Sequence, residues 1–180
     1  MILNLEERIK QYWDNQPCNV RHSDNEIGSL EFFKEVSARR FQVEPHIPEF
    51  AGFYLWQGQQ VLEIGPGIGS DAAEFARHGA DYYGIDYSKE SVDLARKRFD
   101  VEELSGNFYC GDASDEAMYK DLPKFDLVYS YGVIHHFPAI DSIINNVYDC
   151  LKPGGEFRFM VYARDSWKQA MINKGLDQYE

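Results

Sequence analysis

Cysteine is scarce in this chain, and Cys18, Cys110 and Cys150 show no paired spacing. Three scattered thiols exclude a disulfide framework and offer no ligand pattern for zinc, so no metal site is expected; they suit a reducing, cytoplasmic setting. Basic residues are also in deficit: 18 Lys and Arg against 30 Asp and Glu leave a net charge of −12. So acidic a chain is repelled by phosphate backbones, and Arg96, Lys97 and Arg98 sit beside Asp93 and Asp100 instead of forming a basic patch. Nucleic acid is thereby disfavoured as a partner. No apolar run approaches the roughly 18 residues that a membrane span requires. The segment Met1 to Glu7 carries acids in place of the basic and apolar pattern of a secretory signal. Internal repeats and low-complexity segments are absent as well.

What is present is ordinary globular material. With 180 residues, 44% hydrophobic and 27% charged, the chain suffices for one domain with a core. Residues 1–58 read as a helical cap or lid. Leu5, Ile9, Tyr12 and Trp13 have helical spacing, and Ser29 is placed to cap a second helix carrying Leu30, Phe33 and Val36. Pro17, Pro45 and Pro48 punctuate the segment, and His46 to Glu49 opens a short third helix.

Residues 59–180 read as a core of alternating strands and helices. Val61 to Ile64, Tyr82 to Asp86, Asn107 to Cys110, Phe125 to Ser130 and Glu156 to Val161 are strand-like. Helices are expected between them: one capped by Ser70 or Asp71 and ending at Gly79, one capped by Ser88, and one with Ile140, Ile143, Ile144, Val147 and Leu151 that Lys152-Pro153-Gly154-Gly155 ends. Such alternation implies an α/β fold, doubly wound around a mostly parallel sheet with right-handed crossovers.

Glu63-Ile64-Gly65-Pro66-Gly67-Ile68-Gly69 is the strongest local signal. A strand running through glycines into a helix brings backbone N–H groups close to a ligand. The glycines follow G-x-G-x-G, whereas the dinucleotide fingerprint wants a sixth-position glycine where Ser70 stands, which disfavours a nicotinamide-dependent oxidoreductase. Asp86 closes the second strand about 20 residues on, the spacing of a carboxylate that grips ribose hydroxyls. Gly111-Asp112-Ala113 follows the third strand, and Ser130 to Phe137, with His135-His136, follows the fourth.

Taken in order, these landmarks over residues 60 to 162 resemble the class I S-adenosylmethionine-dependent methyltransferases that act on small molecules. The resemblance implies a Rossmann-like fold, S-adenosylmethionine as cofactor and a small organic methyl acceptor. It further implies the methionine end near Glu63, Gly65 and the Ser130 backbone, with Gly67 and Gly69 in the turn. The ribose falls at Asp86, and the adenine beside Tyr87, Asp112 and Ala113. His135 lies where an acceptor would approach: either it takes a proton there, or the two imidazoles only brace their loop. Tyr12 and Trp13 are read either as a lid or as core packing.

The chain departs from its relatives at the C-terminus. Ser166 to Lys174 has helical character, but nothing after it reads as a strand, so the C-terminal strands of such folds are missing and strand five is left at a sheet edge. A longer polypeptide or a second chain, as in a dimer, is expected to cover it. Besides methyl transfer, a non-catalytic cofactor-binding or scaffolding module of the same fold stays open.

Overall fold

Val61, Leu62 and Ile64 are apolar on both sides of an extended segment, so only a strand covered on both faces can bury them. A computed structural model of the chain describes residues 5–15, 17–163, 165, 166, 171 and 174. Among these, helices α1 (Leu5–Asn15), α2 (Leu30–Val43) and α3 (Ile47–Ala51) precede the sheet. Then strands β1 (Gln60–Ile64), β2 (Asp81–Asp86), β3 (Asn107–Cys110), β4 (Phe125–Tyr131) and β5 (Leu151–Met160) alternate with helices α4 (Ser70–Arg77), α5 (Lys89–Val101) and α6 (Ile140–Cys150). The strands form one sheet in the order β3-β2-β1-β4-β5, and every pairing is parallel. This is the doubly wound, Rossmann-like architecture expected from the alternation.

Period-two alternation divides the core. Val61 of β1 joins Ala72 and Phe75 of α4 on one face, while Leu62 and Ile64 join Ile143 and Val147 of α6 on the other. Phe32, Phe33 and Val36 anchor α2 and are fully buried; each stabilises the docking by roughly 1.5–3 kcal/mol. Ile47, Phe53 and Trp56, from the segment before β1, share a cluster with Val61 and Leu127 of the sheet. Ser29 and Ser88 both cap as read: their hydroxyls accept from Phe32 N–H at 3.1 Å and Ser91 N–H at 3.2 Å.

Two expectations need correction. The N-cap of α4 is Gly69, not Ser70 or Asp71: Ser70 and Asp71 are the first residues of the helix, which runs to Arg77 with His78 as its cap. Asp71 is drawn instead to Arg40 of α2. Nor does Lys152-Pro153-Gly154-Gly155 stand between helix and strand. Leu151 already pairs with Phe125, and the register slips before Leu127 meets Glu156, so these residues form an irregular opening to β5. Gly154, at φ 84°, takes up the slip. At the far side, β5 is a sheet edge among the described residues, with Phe159 and Val161 exposed. The helix read over Ser166 to Lys174 falls largely outside the described residues.

Candidate functional site

The chain lays β2 and β3 on one side of β1, then crosses back to place β4 and β5 on the other. Connections therefore leave β1 and β4 in opposite directions, and a crevice opens at their C-terminal ends, where sheets of this kind bind ligands. A cavity of about 660 Å³ occupies that place, within the usual size of a small-molecule site. Its wall includes the turn from Gly65 to Ile68, Asp86, Tyr87, Ala113, Tyr131 and His136.

The turn is held open by backbone chemistry. Gly65 has φ 77°, and a Cβ there would lie 2.5 Å from the Val133 methyl carbons. Gly67 has φ 55° with open space where a Cβ would project. Its N–H donates to Asp86 Oδ2 at 2.9 Å, while Asp86 Oδ1 accepts from Ser88 N–H at 2.9 Å. The Tyr87 N–H stabilises the carboxylate as well, and of its roughly four lone-pair sites at least one stays free. Burial pushes the Asp86 pKa up to about 6, against the pull of the Ser88 and Gly67 N–H groups.

Behind the turn lie two buried acids, Glu63 and Asp71. Glu63, 3% exposed, accepts from the Tyr82 hydroxyl at 2.7 Å. Burial, and then the charge of Asp71, raises its pKa. Asp71 is gripped by Arg40 through two bonds of 2.7 Å and also accepts from the Tyr129 hydroxyl at 3.1 Å. Burial opposes the Arg40 charge, yet Asp71 more than offsets it and the guanidinium pKa is raised. Ser70 is on the cavity wall and 4% exposed, and its hydroxyl has no partner. A buried hydroxyl without a partner is uncommon in a folded protein and calls for an explanation.

The structure gathers Glu63, Gly65, Gly67, Asp86, Tyr87 and Ala113 on this one wall. Asp112 stands in a small adjoining hollow with Tyr87 and Phe137, accepting from the Ser114 N–H and hydroxyl at 2.7 Å each. Gly69 caps α4, and Ser130 is fully buried, donating to the Ile64 carbonyl at 3.0 Å; neither side of the cavity includes them. His136 is on the wall and His135 is not; the rings lie 4.0 Å apart, and neither nitrogen of His135 has a partner. Burial lowers both imidazole pKa values, and His136 adds to the effect on His135. Trp13 reaches the wall, edge-on to His136 at 5.6 Å, whereas Tyr12 is 54% exposed. Reading the sequence missed Arg40, Glu44, Ser70, Asp71 and Tyr131, all on the wall. Asp71 and Ser70 are signalled only by their place after the glycines, and Arg40 and Glu44 by nothing local.

A family model described as a methyltransferase domain matches residues 62–157. The chain is 31% identical over 109 residues to a ubiquinone biosynthesis O-methyltransferase of Coxiella burnetii, covering 61% of this chain and 46% of that protein. It is 31% identical over 130 residues to a fatty-acid O-methyltransferase of Mycolicibacterium smegmatis, covering 67% and 44%. The chain thus spans about half the length of the curated relatives it matches. Magnesium protoporphyrin IX methyltransferase from Synechocystis PCC 6803, solved with bound SAH, superposes with a TM-score of 0.66 at 18% identity, over 97% of this chain and 80% of that one. That likeness is one of fold.

Proposed function

The chain belongs to the methyltransferase-domain family, and from that premise we propose that it performs S-adenosylmethionine-dependent methyl transfer to a small organic acceptor. The observation that carries this reading is the cavity at the switch point, where the glycine turn and Asp86 meet in one wall. The residues fit such a cofactor. Asp86 keeps lone pairs for the ribose hydroxyls, Ala113 and Tyr87 flank the place for adenine, and Glu63 stands at the methionine end. The cofactor would supply a methyl carbon already activated by a sulfonium.

The protein's own share is positioning and exclusion of water. Trp13, packed on His136, closes one side as a lid. Of the paired imidazoles, His136, which lines the cavity, is the one we choose to meet an acceptor; His135 makes no hydrogen bond and packs against Tyr162. Two relatives are named as O-methyltransferases, which supports oxygen as the acceptor atom.

Calorimetric titration with S-adenosylhomocysteine tests the cofactor reading. Micromolar binding is expected, weakened by about 2 kcal/mol or more in Asp86→Ala. Equal affinity in the variant, or preference for NAD, would refute it. Binding with no transfer of labelled methyl to any acceptor would leave a cofactor-binding module.

A further inference from the structure

Arg98 of α5 is fully buried, at 0% exposure. Its guanidinium donates to three neutral oxygens: Ser37 Oγ at 2.9 Å, Phe33 C=O at 3.1 Å and Gly69 C=O at 3.2 Å. It also lies over the Phe33 ring at 4.6 Å. Among the described residues it forms no ion pair: Glu102, one helical turn on, pairs with Arg77 instead, and Arg98 Nε has no partner. Burial pulls its pKa down to about 10, against the attraction of Glu102, so the group is still charged at neutral pH. A buried charge without a counter-ion costs free energy that hydrogen bonds to neutral groups offset only in part.

This cation joins the glycine turn, α2 and α5. Gly65, Gly67 and Gly69 all take positive φ; glycine adopts other conformations as readily, so the shape of the turn depends on what holds it. The β2–α5 unit holds it at three successive points. Gly65 N–H donates to Ile85 C=O at 2.8 Å, Gly67 N–H donates to Asp86 at 2.9 Å, and Gly69 C=O accepts from Arg98. The first two hold the near half of the turn from the end of β2. Arg98 holds the far half from α5, on which Gly69 rests: a Cβ there would lie 3.4 Å from Ala95 Cβ and 3.6 Å from Arg98 Cδ. The Gly69 carbonyl has two lone pairs and also accepts from Ala73 N–H at 3.0 Å, within the first turn of α4. One guanidinium thus sets where the turn stops and α4 begins, and its other two bonds tie that point to α2.

We propose that Arg98 is a positioning residue for the amino-acid end of the cofactor: by holding Gly69 from behind it sets the far half of the turn, while Asp86 sets the near half and the nucleoside end. The inference rests on the methyl-transfer reading, which puts the methionine end at Glu63 and the turn, and the nucleoside at Asp86, Tyr87 and Ala113. Arg98 is not on the cavity wall and acts through Gly69. Loss of its fork lets the turn shift under the amino-acid end. Asp86 keeps the Ser88 and Gly67 N–H groups, and with them its place at the ribose.

The test titrates the 180-residue chain and its variants calorimetrically with two ligands. S-adenosylhomocysteine has the amino-acid end; 5′-methylthioadenosine keeps the nucleoside and the sulfur but lacks it. Arg98→Lys retains the charge without the planar fork that spans Gly69 and Phe33, and Arg98→Met retains neither. Both are expected to raise the S-adenosylhomocysteine Kd about tenfold and to leave the methylthioadenosine Kd within about twofold. Asp86→Ala weakens both ligands. Urea unfolding gives the folded share of each variant, so affinity is read on folded protein alone; if Arg98→Met does not fold, Arg98→Lys decides. A residue that only stabilises the fold would change the two affinities alike. An unchanged S-adenosylhomocysteine Kd in either folded variant, or equal losses on the two ligands, overturns the inference and leaves the cofactor reading standing. A wild-type chain that binds neither ligand overturns that reading and this inference with it.

Discussion

The Arg40–Asp71 pair joins the cap helix α2 to the first turn of α4, and its two ends are not equivalent. Asp71 has a 2% exposed side chain, and without Arg40 it keeps only the Tyr129 hydroxyl. Arg40 has a 15% exposed side chain, and without Asp71 it keeps Glu44 at 3.3 Å and the face of Tyr131. Arg40→Met therefore strands a buried charge and should destabilise the fold by about 3–5 kcal/mol. Asp71→Asn retains an oxygen for Arg40 and should lose about 1–2 kcal/mol. The double variant Arg40→Met/Asp71→Leu removes both charges. It should recover most of the first loss, apart from about 1–3 kcal/mol for the unpaired Tyr129 hydroxyl. Urea unfolding followed by tryptophan fluorescence measures all three, Trp56 being buried in the core. Equal losses in the two single variants, or a double variant as unstable as their sum, would show that the pair is not the coupled unit described.

Binding should also depend on pH through Asp86. Its folded pKa is raised from 3.8 to about 6, so the ionised form that accepts from ribose hydroxyls prevails above about pH 6 and is lost below it. Affinity for S-adenosylhomocysteine should fall up to about tenfold per pH unit under that point; a flat calorimetric Kd from about pH 8 to 5 would contradict this. The same group acts on stability with the opposite sign. Between 3.8 and about 6 the folded chain holds a proton that the unfolded chain releases, so its contribution to stability grows as pH falls through that window. Gly65→Ala and Gly67→Ala both place a side chain at positive φ, at roughly 1–2 kcal/mol each, but only the Gly65 Cβ meets Val133 at 2.5 Å. Thermal unfolding should show Gly65→Ala to be the more damaging, and the reverse order would refute the close approach.

Local chemistry alone determined much of this protein. The β1–glycine turn–α4 succession, the acid ending β2 and the Ser29 and Ser88 caps each depend on residues a few positions apart, so pattern and spacing suffice to read them. Alternating strands and helices likewise set a parallel, doubly wound sheet, because right-handed crossovers leave few other arrangements. The tertiary structure decided what joins distant segments. Arg40 and Asp71 are 31 positions apart, Glu44 and Tyr131 87, and His46 and Tyr131 85. No periodicity encodes such pairs, and only the return of the cap helices onto the ends of β1 and β4 brings them together. Long-range attraction also overrode local preference: Asp71 has the side chain of a helix cap, but a buried guanidinium within hydrogen-bonding reach outweighs one backbone N–H. Ser70 and Gly69 thus change roles, the glycine taking the cap and the serine entering the helix with its hydroxyl buried and unpartnered.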